Sequence, residues 1–331
     1  MYQRAIICLI LFLNYSIGYG NSWDQAQLTK KANLTLYWYT SDPFIYPNPN
    51  QNLTGLEYEI INSFKDFLQR RYSINLELRW SETKSFYNII EKVQHSSEAC
   101  FGVSAFSITK ERQKIVRYTN SYLPDITVLI SSKGTPIVHS YEEFDKLVTN
   151  LEAITIKGTI YEPLLDQLQS QLNNPFKVNY IGSDQNVLDI ISEAGNRFGF
   201  IDLPIYLMTI KQGSELTRQN FFTVKGMGYG FIMPQNSDWN IPFNEFLADP
   251  VYKREVAQII SNYLGTELYE IIDNLFEGEP LGTSILTKEK EIQLALIQNA
   301  NLRLEEEREF KRLLIFGIVV SILFLNAVQD D

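Results

Sequence analysis

Cysteine and histidine are scarce in this chain, with two of each in 331 residues. No CxxC, HExxH or Cys/His cluster occurs, and His95 and His139 stand alone. Neither a zinc site nor a metal hydrolase is expected, and no cofactor is implied. Cys8 lies in an N-terminal leader, which leaves the mature chain with Cys100 and no disulfide. Cys100 sits in the apolar run Ala99-Cys100-Phe101, the setting of an inert core thiol. Positive charge is also short: 29 Lys and Arg stand against 39 Asp and Glu, for a net charge of -10. With no basic stripe to neutralise phosphates, a nucleic-acid partner is excluded.

The length and a hydrophobic share of 45% suffice for two lobes or domains, each with its own core. The leader pairs Arg4 with the apolar run Ala5 to Leu13 and ends in Gly18-Tyr19-Gly20, a small-x-small pattern suited to cleavage. Residues 1–20 read as a secretory signal peptide, so the rest of the chain is expected outside the cytoplasm. Strand-like and helix-like periods then alternate: strands near 34–39, 75–80 and 99–103, with helices near 56–68 and 85–93. A second set has the same rhythm, with strands near 127–131, 151–156, 176–181 and 198–201, and helices near 141–148, 163–172 and 187–191. The fold class is α/β, each half a sheet flanked by helices. A glycine-punctuated extended stretch from Phe221 to Met233 and three helical stretches up to Phe276 follow.

Beyond Pro280 the character changes. Residues 285–312 read as a polar linker helix or coiled-coil linker, whose seam Asn299 and Asn301 weaken, and 313–328 as a candidate transmembrane helix that is almost wholly apolar, with a docking helix as the alternative. At helical rise those sixteen residues span about 24 Å, short of the ~30 Å hydrocarbon core, so a crossing would need local thinning or snorkelling. The expected location is extracytoplasmic, with the C-terminal helix anchoring the chain to the inner (cytoplasmic) membrane. The basic flank at Arg308, Lys311 and Arg312 would then lie outside, against the usual positive-inside tendency.

The most informative stretch is Ser104-Ala105-Phe106-Ser107-Ile108-Thr109-Lys110-Glu111-Arg112, followed by Val116 to Tyr122. It reads as the end of a buried strand, a polar corner, and a helix whose first turn carries Arg112. Ligands bind at strand ends of open α/β sheets, and a guanidinium fork there can grip a carboxylate in two places. Taken alone, Arg112 could equally be a solvated helix residue. The pattern Ser107-Ile108-Thr109-x-x-Arg112, its continuation Arg117 to Tyr122, Gly158-Thr159 after a strand, Asp202 closing Gly199-Phe200-Ile201, and Asp42-Pro43-Phe44 with Thr54-Gly55-Leu56-Glu57 occur in one order. Together they resemble the bacterial extracellular solute-binding proteins of family 3, which include periplasmic amino-acid-binding proteins and resemble the ligand-binding lobes of ionotropic glutamate receptors.

The resemblance implies a two-lobed periplasmic-binding-protein type II fold with two crossing hinge strands. It also implies a discontinuous first lobe, 31–125 with 226–280, and a second lobe, 126–225. It implies that Arg112 clamps a ligand carboxylate, that Ser107 offers its N–H and hydroxyl, and that Ala105 offers its carbonyl to an ammonium group. Gly158 and Thr159 would add free N–H groups at a helix N-terminus, and Asp202 would receive the ammonium. Plainer readings coexist: Asp202 before Leu203-Pro204 suits a helix N-cap, and Thr159 to Glu162 suits a capping box. Ser41 stands where the family usually presents an aromatic cover, so that wall would come from Tyr39, Trp38 or Trp80. The expected partners are a small amino-acid-like or dicarboxylate ligand, the membrane, and an ABC transporter permease or a signalling protein. Two other readings stay open: a dehydratase of the prephenate or arogenate type on the same fold, and a ligandless interaction module. A ligand-gated channel is disfavoured, because no membrane-length apolar run lies between Tyr122 and Thr155.

Overall fold

The structure, a computed structural model, describes residues 22–182, 186–266, 269–270, 272 and 281–329, the last without the side chains of 281–284, 288 and 313–329. The expected signal peptide, the end of the third helical stretch before Phe276 and the side chains of the expected span at 313–328 lie outside the described residues. Among those described, no helix is long and apolar enough to cross a membrane.

The first half opens with α1 (Trp23–Thr29), β1 (Lys31–Trp38) and a small hairpin, β2 (Tyr46–Pro47) with β3 (Leu53–Thr54). It continues through α2 (Leu56–Tyr72), β4 (Asn75–Glu82), α3 (Phe86–Gln94), β5 (Cys100–Val103) and β6 (Val116–Tyr118). The second half holds β7 (Ile126–Ser131), α4 (Tyr141–Val148), β8 (Glu152–Ile156), α5 (Tyr161–Ser170) and β9 (Lys177–Ile181), then α6 (Val187–Glu193), β10 (Arg197–Asp202), α7 (Leu203–Lys211) and β11 (Thr217–Lys225). The chain finishes with β12 (Ile232–Pro234), α8 (Asn240–Ala248), α9 (Pro250–Leu264) and the 49-residue helix α10 (Leu281–Gln329).

Two five-stranded sheets result, ordered β4-β1-β5-β12-β6 and β11-β7-β10-β8-β9. The fourth strand of the first sheet is β12, which the chain reaches only after building the whole second sheet. The backbone therefore crosses between the sheets twice, and the two crossings run side by side. Tyr122 N donates to Tyr229 O at 3.0 Å, Tyr229 N to Leu123 O at 2.8 Å, and Gly226 N to Asp125 O at 2.8 Å. The closeness of that pairing demands glycine: a Cβ on Gly228, whose φ is +99°, would lie 2.0 Å from Ser121 Oγ.

The periodic helices and strands expected between residues 34 and 201 are present, whereas α1, the β2–β3 hairpin and β6 carry no periodic signal in the sequence, and one expected helix is absent. The stretch at Arg112 is no helix but a single 3₁₀ turn, Arg112–Lys114, before the chain enters β6. The β-branched Ile115 and Val116 lead directly into an antiparallel pairing with β12, which ends any helix after one turn.

The first core is aromatic. Phe64 and Phe67 on α2, Phe101 on β5, Phe231, and Phe243 and Phe246 on α8 are all buried, with Phe64 and Phe243 ring centres 4.5 Å apart. Beside this core lies a buried acid that organises the site. Glu57, in the first turn of α2, accepts hydrogen bonds from the Ala105 N–H at 3.1 and 3.2 Å and from Tyr122 Oη at 2.6 Å. Ala105 has a φ of 54°, in the left-handed region that an L-residue occupies at a cost, so this carboxylate pins a strained corner. The motif around Asp42-Pro43-Phe44 and Gly55 serves the same placement. Leu56 N donates to Pro43 O and Glu57 N to Phe44 O, and a Cβ on Gly55 would lie 2.3 Å from the Phe44 carbonyl oxygen.

Burial pushes the Glu57 carboxyl up to about 7, against the lowering effect of its bonds from Tyr122 and Ala105. Between pH 4.5 and about 7 the folded state holds a proton that the unfolded state has released, so stability falls as pH rises through that window. We expect the Glu57→Gln variant, which keeps both acceptor contacts, to flatten this fall by roughly 3 kcal/mol, at about 1.36 kcal/mol per pK unit. Urea melts at pH 4.5 and 7.5 measure it, and an unchanged pH difference in the variant would refute the assignment. Phe243→Ala should cost about 3–5 kcal/mol in the same melts, as a cavity opened among packed rings does.

Candidate functional site

A cavity of about 150 Å³ opens between the two sheets, and its walls are the segments that leave the carboxyl ends of their strands. Tyr39, Thr40 and Ser41 follow β1, while Ser104, Ala105 and Ser107 follow β5. From the other sheet, Thr159, Ile160 and Tyr161 follow β8, and Ile201 and Asp202 close β10. Parallel strands end with their loops on one side, which is why such sheets bind ligands there.

Arg112 is the cationic group of this cavity. Its guanidinium carbon stands 5.4 Å from the centre of the Phe86 ring, which is stacked on Phe106. One terminal nitrogen donates to Ser107 O at 3.3 Å, and the other donates to Gly158 O at 2.8 Å, so the side chain bridges the two halves of the molecule. A guanidinium carries five N–H donors, and two carbonyls do not exhaust them.

Asp202 faces the same space and is buried. It occupies the N-cap position of α7 yet makes no capping hydrogen bond. Its Oδ1 accepts instead from Tyr161 Oη at 2.9 Å. Burial keeps that phenol protonated, and so a donor, far above neutral pH. Burial first, and then the nearby Asp125 carboxylate, push Asp202 up to about 7. Asp125 is itself buried and raised by burial, which leaves two acids competing for charge beneath one arginine.

Of the residues expected in the site, Arg112, Ser107, Ala105, Asp202, Thr159 and Tyr39 line this cavity. Gly158 contributes through its carbonyl rather than a free N–H. That N–H donates to Glu162 Oε2, and Thr159 N and Oγ1 both turn back to Ile156 O. The capping box read at Thr159 to Glu162 is therefore not formed as such: the acid reaches back to Gly158, and α5 starts after an Ile160 that caps nothing. The Ala105 N–H is taken by Glu57, which leaves its carbonyl as the group available for a ligand.

Trp80 lies elsewhere, on β4, the edge strand of its sheet, where it packs against Tyr58 of α2 and lines a separate polar depression with Lys31 and Lys65. The cavity is walled by segments that follow β1 and β5, and no residue of the edge strand β4 reaches it. Phe86 and Tyr161 were not foreseen as site residues, because nothing in their local sequence separates a ring that packs under a guanidinium from an ordinary core ring.

The missing aromatic at Ser41 has a structural counterpart. Past Tyr39, Thr40 and Ser41 lies an adjoining chamber of about 370 Å³, which shares Ile156, Val187, Ile201 and Ile205 with the first cavity. It extends to Asp42, Asn186, Met208, Thr209 and Gln212. The site is thus a small charged end joined to a roomier, mixed one.

The family model described as bacterial extracellular solute-binding proteins, family 3, matches residues 37–266, well over half of the chain. No curated protein matches. Among solved structures, an ancestral arginine-binding protein bound to arginine is 16% identical with a TM-score of 0.58, over 70% of this chain and 97% of its own. The ancestral amino-acid-binding protein AncCDT-1, a precursor of cyclohexadienyl dehydratase, is 14% identical with a TM-score of 0.59, over 73% and 98%. The GluR0 ligand-binding core from Nostoc punctiforme, in complex with L-glutamate, is 15% identical with a TM-score of 0.57, over 70% and 99%. At such identities the likeness speaks for the fold, whereas the family model speaks for kinship. The chain belongs to the bacterial extracellular solute-binding proteins, family 3.

Proposed function

We propose that this chain is a binding module that closes two lobes on a small amino-acid-like solute carrying a carboxylate and an ammonium group. The observation that carries the reading is the single cavity that brings Arg112 from one sheet and Asp202 from the other. Two opposite charges taken out of water cost several kcal/mol each unless they are matched, and a zwitterion matches both. Arg112 would hold the carboxylate with Ser107, while Asp202 and the Ala105 carbonyl would take the ammonium. The lobes on this reading are 31–125 with 226–280, and 126–225, hinged at the paired crossings.

The chamber past Ser41 would take the ligand's side chain, which favours solutes longer than the smallest amino acids. Export and a membrane tether at 313–328 are part of the proposal on sequence alone. Two outputs suit such a module: delivery to an ABC-type permease, and signalling. The packing of α10 on α7, the helix that starts directly after Asp202, supports signalling. A second reading, dehydration of a cyclohexadienyl acid, draws on Asp202, an acid at the cavity that holds its proton to about 7. Turnover of prephenate by the purified chain would favour that reading over binding.

A thermal-shift screen against amino acids and small dicarboxylates tests the proposal. A ligand at about a hundred times its dissociation constant adds roughly 2.7 kcal/mol of stability. Arg112→Ala should weaken any hit by about 2–5 kcal/mol, thirty-fold or more. Ser41→Phe should weaken hits with long side chains and spare the smallest. Absence of any hit, or a hit indifferent to Arg112, would sink the amino-acid reading and leave a ligandless interaction module.

A further inference from the structure

The helix α10 has two faces with different tasks. Its first turns dock on the second half of the molecule: Ile285, Glu289 and Ile292 are buried there. Glu289 makes a two-pronged ion pair with Arg218 of β11, at 2.6 Å to Nε and 3.0 Å to Nη2. A paired, desolvated Arg–Glu fork of this kind fixes orientation, because leaving either partner alone in that place is costly. At about 100° per residue, these three positions fall within about 60° of one another on the helix surface.

A second stripe is exposed. Leu294, Ile297 and Leu304 are 57%, 58% and 52% accessible, large apolar groups facing water. Together with Asn301 they recur at steps of three, four and three, the a and d positions of a heptad, and the spacing resumes in the sequence at Ile315, Ile318, Ile322 and Leu325 after Arg308 and Lys311 interrupt it. This stripe lies about 130° round the helix from the docked face, so it points away from the lobe that holds the helix. The docked turns and the exposed seam can be engaged together.

We propose that residues 294–312 form a parallel two-stranded coiled coil with a second copy of this chain. Two features select that occupant. Asn301 falls at an a position between Leu and Ile neighbours, where asparagine pairs with its own copy across a parallel dimer and sets register and strand number. Glu307 then falls at g and Arg312 at the following e, the two positions that meet across a parallel pair, with opposite charges. Among the described residues these groups make exposed contacts within the helix, Glu307 to Lys311 at 3.8 Å and Arg312 to Glu309 at 2.7 Å, which are cheap to exchange.

The test uses the full chain in detergent, in a Cys8→Ser background, with Cys100 left buried. Light scattering should give twice the mass of one chain. Under mild oxidation Leu304→Cys, on the seam, should form a disulfide-linked dimer, whereas Leu302→Cys, on the outer face, should not. Glu307→Arg should lower the dimer fraction, and adding Arg312→Glu should restore it. All of these positions are exposed, and the thermal melting temperature of each variant, measured without any ligand, serves as the control for folding. A monomeric mass, equal cross-linking at 302 and 304, or charge variants without effect would each overturn the proposal.

Discussion

Charge burial at the junction of two sheets is the constraint on which the rest of this molecule depends. Arg112 and Asp202 are drawn to one cavity from opposite halves of the chain, with Asp125 and Glu57 buried nearby. A guanidinium can satisfy itself on carbonyls, as Arg112 does on Ser107 and Gly158. A buried carboxyl resists ionisation instead, and burial pushes both Asp202 and Glu57 up to about 7, Glu57 against the hydrogen bonds it accepts. On the proposed binding reading the site is therefore poised: one charge is lodged in place, and the acid opposite would become fully charged when an ammonium group binds beside it.

The fold serves that arrangement through few devices. Parallel strands deliver the corner residues to one side. The double crossing of the backbone joins the halves by a narrow, hydrogen-bonded ribbon that requires Gly228. Glu57, two residues into α2, clamps the left-handed Ala105, so the loop carrying Ser107 and Arg112 leaves the sheet at a fixed angle. The C-terminal helix is fastened to the half that carries Asp202 by the Arg218–Glu289 fork. Any motion of that half relative to the other is thereby a motion of α10.

Most of this was legible in the sequence because the relevant signals are local. Period-two and helical spacings located most strands and helices, and the residues expected from the ordered motifs, Ala105, Ser107, Arg112, Thr159 and Asp202, line one cavity together with Tyr39. The failures have physical causes. The turn at Arg112 was read as a helix because its residues suit one; the pairing of β6 with β12, more than a hundred residues apart, overrides that preference. Trp80 is expected at the site on its chemistry, but β4 takes the edge of the sheet, away from the strand ends that wall the cavity, and strand order is not encoded locally. The value of Glu57 lay in contacts with Ala105 and Tyr122, 48 and 65 residues away, which no local pattern encodes.

The central claim is that an ammonium-bearing ligand ionises Asp202. Calorimetric titration of the first ligand found, near pH 6 and in two buffers of different ionisation enthalpy, counts the protons exchanged on binding. The account predicts release approaching one proton per ligand, lost in the Asp202→Asn variant and fading above pH 8. Binding with no proton release in the wild-type chain would contradict it.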